Sequence, residues 1–380
     1  MLTAAHALPQ PVASADKGCS MSEHGPTIRV LAPAGMSRRR IMGLAGAALA
    51  AGAAPARAEG PPLNLFTYST YGSEPVIAAG RAKGFIVKPT VYAGADEMMA
   101  KLRGGGTKLY DMVVPLHTYV GVAAQAGLLE PMDPARLPNL AQVAQQFRSI
   151  PDWSPGGALY GVPFVWGANA MAYDYSEIGQ IDSLNVLFDP GYKGRVSMRD
   201  DVEDAISVAA LHLGMQDPFD LDERALQEIK KVLIAQKPLN RAYWKNIADL
   251  RAMFASSEIV AAWATLSVVA PLRRNGLDIR WVWPKEGALG WSEGIAAVKG
   301  TRNKDQVEAY ANFTLGADYG EALARGTLYA TTSGDALKRL PPDLVQELGI
   351  QPERMGSVLF KRLPSDKNRW NEIWTEVKAS

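Results

Sequence analysis

One stretch restricts the architecture more than any other. Tyr160-Gly-Val-Pro-Phe-Val-Trp-Gly-Ala-Asn-Ala-Met-Ala-Tyr173 is apolar over two strand lengths with no helix between. A chain that stays extended for so long is crossing from one packed unit into another. Residues 290–298 form a second such stretch, the return crossing. Between the two lies a block of strand and helix signals of its own, so one lobe is inserted into the other. Paired crossings make a hinge, and in α/β folds the crevice beside a hinge lies at the carboxyl ends of the strands.

The remaining pattern fits that plan. Strand signals at 63–68, 85–92 and 110–115 alternate with helix signals at 96–102 and 117–127. Alternation at short spacing argues for a parallel α/β sheet. Pro89 puts the second strand near an edge or a bulge. In the inserted block, strands are expected at 194–198, 259–263 and 279–283. Helices are expected at about 200–213, 221–236 and 243–256, with Asp220 or Asp222 as the cap of the second. The remainder is mostly helical, at 304–315, 319–325, 342–348 and 369–378. The expected fold is α/β, two lobes joined by the two crossings: 59–167 plus 291–342 and 168–290 plus 343–380.

Residues 1–58 are read as lying outside that fold. Ser37-Arg38-Arg39-Arg40-Ile41-Met42 has the form of a twin-arginine export signal. A short Ala/Gly-rich apolar region and the small-x-small site Ala56-Arg57-Ala58 follow it. Met36, or alternatively Met21, is the expected start, and the segment is expected to be cleaved rather than to anchor the chain. With it go six Lys/Arg, two Asp/Glu and the only cysteine, Cys19. The remaining 322 residues carry 34 bases and 37 acids, a net charge of −3. That length suits two lobes of roughly 150 residues. That charge is no electrostatic footprint for nucleic acid or an anionic membrane. A monomer, soluble in the periplasm and neither lipidated nor disulfide-bonded, is the expectation.

Enzyme motifs fail on their context. Gly290-Trp-Ser-Glu-Gly294 matches a nucleophile elbow around Ser292, but an elbow needs a following helix and a later histidine. Residues 295–298 look extended, and no histidine follows His212. The other histidine of the mature chain, His117, has no acid at metal-ligand spacing, so no metal site and no cofactor are expected. Gly104-Gly-Gly-Thr-Lys108 lacks the loop of a phosphate-binding motif and reads as a helix stop.

What remains is a set of acids and rings. Trp291 and Glu293 are two apart in an extended segment, so both point to one side. An indole beside a carboxylate suits a ligand with a cationic head and an apolar stem; a buried tryptophan beside a solvated glutamate is the alternative. Asp200-Asp-Val-Glu-Asp204 crowds four acids between a strand and a helix. Asp201 with Asp204 makes a capping-box-like start, yet both also lie on one face at a strand's carboxyl end. Tyr68, Tyr71, Trp263 and Tyr329 are the other aromatic candidates, each able to sit in the core or to line the crevice.

The motifs Tyr110-Asp-Met-Val-Val-Pro115, Gly161-Val-Pro-Phe-Val-Trp-Gly-Ala168, Tyr192-Lys-Gly194 ahead of Asp200-Asp201, and Val282-Trp-Pro-Lys-Glu-Gly287 ahead of Trp291 resemble those of the spermidine/putrescine-binding periplasmic proteins of ABC importers. The resemblance runs from about residue 63 to the C-terminus. It implies a periplasmic binding protein-like α/β fold and a non-catalytic protein that captures a polyamine-like organic cation and delivers it to an inner-membrane permease. It also implies that Asp201, Asp204 and Glu293 grip nitrogens inside an aromatic box of Tyr68, Tyr71, Trp263, Trp291 and Tyr329. Several positions depart from the family pattern: Tyr68 stands where a tryptophan is usual, and Glu293 replaces an aspartate and reaches one methylene further. Leu116 and Thr118 stand where a serine and an aromatic are expected, and Phe360 stands where a polar amide is expected. A non-polyamine amine, a thiamine-like cation or ferric ion, and a hydrolase using Ser292, are the competing readings. The ferric reading lacks the adjacent tyrosine pair that such sites show.

Overall fold

The computed structural model describes residues 60–349 and 358–380. The proposed export signal therefore lies outside the described residues. The two expected crossings are the two longest strands, β5 (Gly161–Asp174) and β9 (Ala288–Val298). They pair antiparallel with each other, from Gly161 opposite Ala296 to Asn169 opposite Leu289. Both are buried almost throughout, which is why β5 reads as one apolar run instead of an alternating one. Pro163 has no N–H for the ladder, and the register slips between Pro163 and Val165 to accommodate it.

The other strands are β1 (Leu63–Thr67), β2 (Val87–Val91), β3 (Met112–Val113), β4 (Leu129–Glu130), β6 (Val196–Ser197), β7 (Ala261–Thr265), β8 (Ile279–Val282), β10 (Ala330–Thr331) and β11 (Val358–Phe360). The sheet runs β2-β1-β3-β9-β5-β7-β6. β1 is parallel to β2 and β3, and β6 is parallel to β7, as the strand–helix alternation implies. The sheet is nevertheless mixed. A chain that crosses out and then back must traverse the middle in opposite directions, so the central pair is antiparallel. β2, with Lys88 and Pro89, is the exposed edge.

β5 changes partners along its length. Its first half lies between β9 and β10; its second half lies between β8 and β7. The buried core changes with it. Leu65, Met112, Phe164 and Tyr310 belong to one cluster, whereas Met171, Ile206, Leu233 and Trp263 belong to another. The helix Lys367–Ala379 packs into the second cluster through Trp370, Ile373 and Trp374. Leu344 and Leu348 instead pack with Ala324. Among the described residues no helix is long and apolar enough to cross a membrane.

Helix caps follow their sequence signals. Asp222 caps the helix Glu223–Gln236 by accepting from the Ala225 N–H at 2.8 Å. Asp201 caps Val202–His212 in the same way, accepting from the Asp204 N–H at 3.0 Å.

Candidate functional site

A cavity of about 490 Å³ opens where the two halves of β5 meet. β1 runs into it and ends there, so Tyr68 and Tyr71 stand on its wall. β9 contributes Trp291 and Glu293 from one face, while Ser292 between them turns the other way. Tyr329, Asn169, Asp201, Trp244 and Lys361 complete much of the lining. A second, surface depression of about 600 Å³ lies around Lys83 and Asp318. Its charges are closed on one another, with Asp318 paired to both Lys83 and Arg339.

At one end of the cavity the rings pack edge to face. Trp291 meets Tyr329 at 5.2 Å between centroids, and Tyr71 meets Phe164 at 5.1 Å. Tyr68 leans on Tyr92 at 4.5 Å. Gly167 lies opposite Trp291 in the ladder, and a Cβ there would come within 2.4 Å of the indole. Only glycine lets the ring lie across β5.

Glu293 sits among these rings and accepts a hydrogen bond from the Tyr71 hydroxyl. Burial pushes its carboxyl up to about 7, against the pull of that hydrogen bond and of Arg199. The Tyr71 hydroxyl, buried and facing a carboxylate, is raised well above its usual range. Among the described residues no lysine, arginine or histidine forms an ion pair with Glu293.

The other end is different. Asp204 is buried, and its oxygens already have partners: Lys361 Nζ at 2.6 Å, Asn169 Nδ2 at 3.0 Å and Arg199 at 3.6 Å. Burial disfavours the Lys361 ammonium, but Asp204, Asp201 and Glu203 outweigh it and hold its pKa above the usual lysine value. Burial also opposes charge on Asp201; there Lys361 and Arg199 prevail, and its carboxyl is lowered. Asp200 points away, to Trp374 Nε1 and Lys378.

The proposed site residues therefore divide. Tyr68, Tyr71, Asp201, Trp291, Glu293 and Tyr329 line the cavity, with Asp204 directly behind it. Trp263 does not join them. Strand alternation turns its fully buried indole into the second core, and only its carbonyl reaches toward the site, accepting from Trp244 Nε1 at 3.1 Å. Trp244 is the tryptophan that lines the cavity from this side.

Phe360, like Trp263, is not among the residues lining the cavity. It packs against Phe147 and His117, and the next residue, Lys361, turns into the cavity. Leu116 lines the cavity, and Thr118 is buried away from it.

Ser292 is in mid-strand, fully buried, and donates its hydroxyl to the Val165 carbonyl at 2.9 Å. It forms no elbow. His117 meets the backbone of Ser292 instead of its hydroxyl, and its Nε2 donates to the Lys361 carbonyl at 2.8 Å. Burial lowers His117 to about 4, so this imidazole is a neutral clasp between β9 and the segment carrying Lys361.

Arg199, Lys361, Asn169 and Trp244 were not visible as site residues in the sequence. Arg199 had a signal, since it directly precedes the acid cluster at a strand's end. Lys361 had none: it arrives through β11, which pairs with β9 about 70 residues earlier in the chain.

With this geometry in hand, the similarities to known proteins fall into place. A family model of bacterial extracellular solute-binding proteins matches residues 78–348. The chain belongs to that family. It is 27% identical over 324 residues to a spermidine/putrescine-binding periplasmic protein of Salmonella typhimurium, covering 82% of this chain and 89% of that one. It is 25% identical over 353 residues to a putrescine/cadaverine-binding protein of Pseudomonas aeruginosa, covering 87% and 97%. In fold it is similar to a spermidine/putrescine ABC transporter substrate-binding protein of Streptococcus pneumoniae. The TM-score there is 0.72 at 18% identity, covering 84% of this chain and 98% of that one.

Proposed function

We propose that this solute-binding protein captures an organic cation, a polyamine or related amine, and delivers it to an inner-membrane ABC permease. One observation carries the reading. Glu293 is a carboxylate enclosed by Tyr71, Trp291 and Tyr329, with no cationic side chain of its own paired to it among the described residues. A carboxylate kept so costs stability unless a cation arrives to complete it. The names of the relatives point to the same ligand class.

The energetics allow capture at micromolar level. One charge-assisted hydrogen bond contributes about 1.5–3 kcal/mol. Two cation–π contacts add roughly 0.5–2 each, and three or four buried methylenes about 0.8 each. The total spans about 5–10 kcal/mol, against roughly 8 for a micromolar Kd.

In this reading residues 59–167 plus 291–342 and 168–290 plus 343–380 act as two lobes hinged at β5 and β9. The ligand favours the closed arrangement because only there does it touch both. The chain works as a monomer in the periplasm, reached through a twin-arginine signal that is then removed. Titration calorimetry with putrescine, spermidine, agmatine and choline tests the reading. At least one amine is expected to bind, and Glu293→Gln to weaken it by roughly 10- to 100-fold, the loss of one charge-assisted contact. No heat from any of the four with the folded protein would discard the amine reading.

A further inference from the structure

Capturing one ammonium at Glu293 leaves open what the far end of the ligand is. A diamine needs a second free carboxylate. Asp204, the acid placed to supply it, already forms an ion pair with Lys361, whose Nζ lies 2.6 Å from one oxygen. Its other oxygen receives Asn169 at 3.0 Å and faces Arg199 at 3.6 Å. Lys361 does there what a ligand ammonium would do, and its side chain is only 7% exposed. Asp201 spends an oxygen on the helix cap and faces the same two cations. Three acids at this end, Asp201, Glu203 and Asp204, face Lys361, Arg199 and Lys367, with Lys367 shared between Glu203 at 3.5 Å and the more exposed Asp96 at 3.2 Å. A second ammonium would find each of these three acids already facing a cation of the chain.

Arg199 is what remains uncommitted. It lines the cavity, its side chain is 39% exposed, and its guanidinium carbon lies 5.4 Å from the centre of the Trp244 ring. Among the described residues it donates no hydrogen bond, and its one ion pair is the long contact to Asp204. A guanidinium presents five donors in a fork that matches a carboxylate. We propose that the ligand is an aminocarboxylate, its ammonium held at Glu293 among the rings and its carboxylate held by Arg199, so that this crevice prefers a zwitterion to a diamine. The inference rests on amine capture at Glu293 and adds the chemistry of the other end.

Calorimetry on the protein lacking residues 1–58 tests it with ligands of matched length. These are 4-aminobutyrate against putrescine, 5-aminopentanoate against cadaverine, and butylamine as the amine with no second group. At the better length the aminocarboxylate is expected to bind at least tenfold more tightly than either the diamine or the alkylamine. Arg199→Gln should lower aminocarboxylate affinity at least tenfold while moving butylamine less than threefold. Arg199→Lys, which keeps the charge but loses the fork, should recover part of the loss and guards against a folding defect in the first variant. Lys361→Met should shift preference toward the diamine by freeing Asp204. A diamine that binds wild type as tightly as its matched aminocarboxylate overturns the inference and leaves amine capture standing. If no ligand in the set binds, the inference falls, and amine capture falls with it only if spermidine, agmatine and choline also give no heat.

Discussion

The two ends of the crevice hold carboxylates that look alike in the sequence and behave differently in the fold. Glu293 stands among rings, half-buried, with a tyrosine hydroxyl as its partner and its pKa at about 7. Asp204 is buried more deeply but is held by Lys361, Asn169 and Arg199. One carboxylate awaits a cation and the other has been given one. An acid in a binding motif therefore says little about charge available to a ligand until its neighbours from distant segments are known.

The largest effect that would sharpen this contrast is on stability. Lys361→Met leaves Asp204 buried without its ammonium, and breaking a buried pair from one side costs about 3–5 kcal/mol. Adding Asp204→Asn should return much of that loss, because the uncompensated charge is then gone. Denaturant melts of the wild type, both single variants and the double variant measure the coupling. Additive single effects would mean that the pair does not hold this end together.

A smaller effect is expected at the ring end. Gly167→Ala sets a methyl against the Trp291 indole and must move it. Overpacking of this kind costs roughly 1–3 kcal/mol, and amine affinity should fall about tenfold as the ring tilts away from the ammonium. Unchanged affinity by calorimetry would remove Trp291 from the site. The smallest effect is at Trp263. Trp263→Phe should lower the melting temperature while changing amine affinity less than about twofold, since the indole faces the core. A tenfold change in affinity would restore it to the site.

Much of this was readable from local pattern. The length and apolarity of 160–173 reveal β5, and the strand period alone places Trp291 and Glu293 on one side. Asp222 and Asp201 announce their helices as capping residues. Two kinds of feature were not readable. The orientation of Trp263 depends on strand register, because shifting the starting point by one residue turns the side chain from crevice to core. The same one-residue ambiguity separates Phe360 from Lys361. The pairing of Lys361 with Asp204 joins residues 157 apart, and nothing local to either one records it. The mixed sheet likewise follows from the chain's return path, which strand–helix alternation does not show.

The central claim, that an ammonium completes Glu293, is tested most directly by counting protons. In the free protein this carboxyl is half-protonated near pH 7. A bound cation would favour the ionised form and lower its pKa, so binding must expel the proton. Titrating the bound amine near pH 7 in two buffers of different ionisation enthalpy should show roughly half a proton released per ligand. The release should approach one near pH 6, with affinity falling as the pH drops, and Glu293→Gln should abolish it. Binding with no proton released at either pH would mean that the ammonium does not meet Glu293.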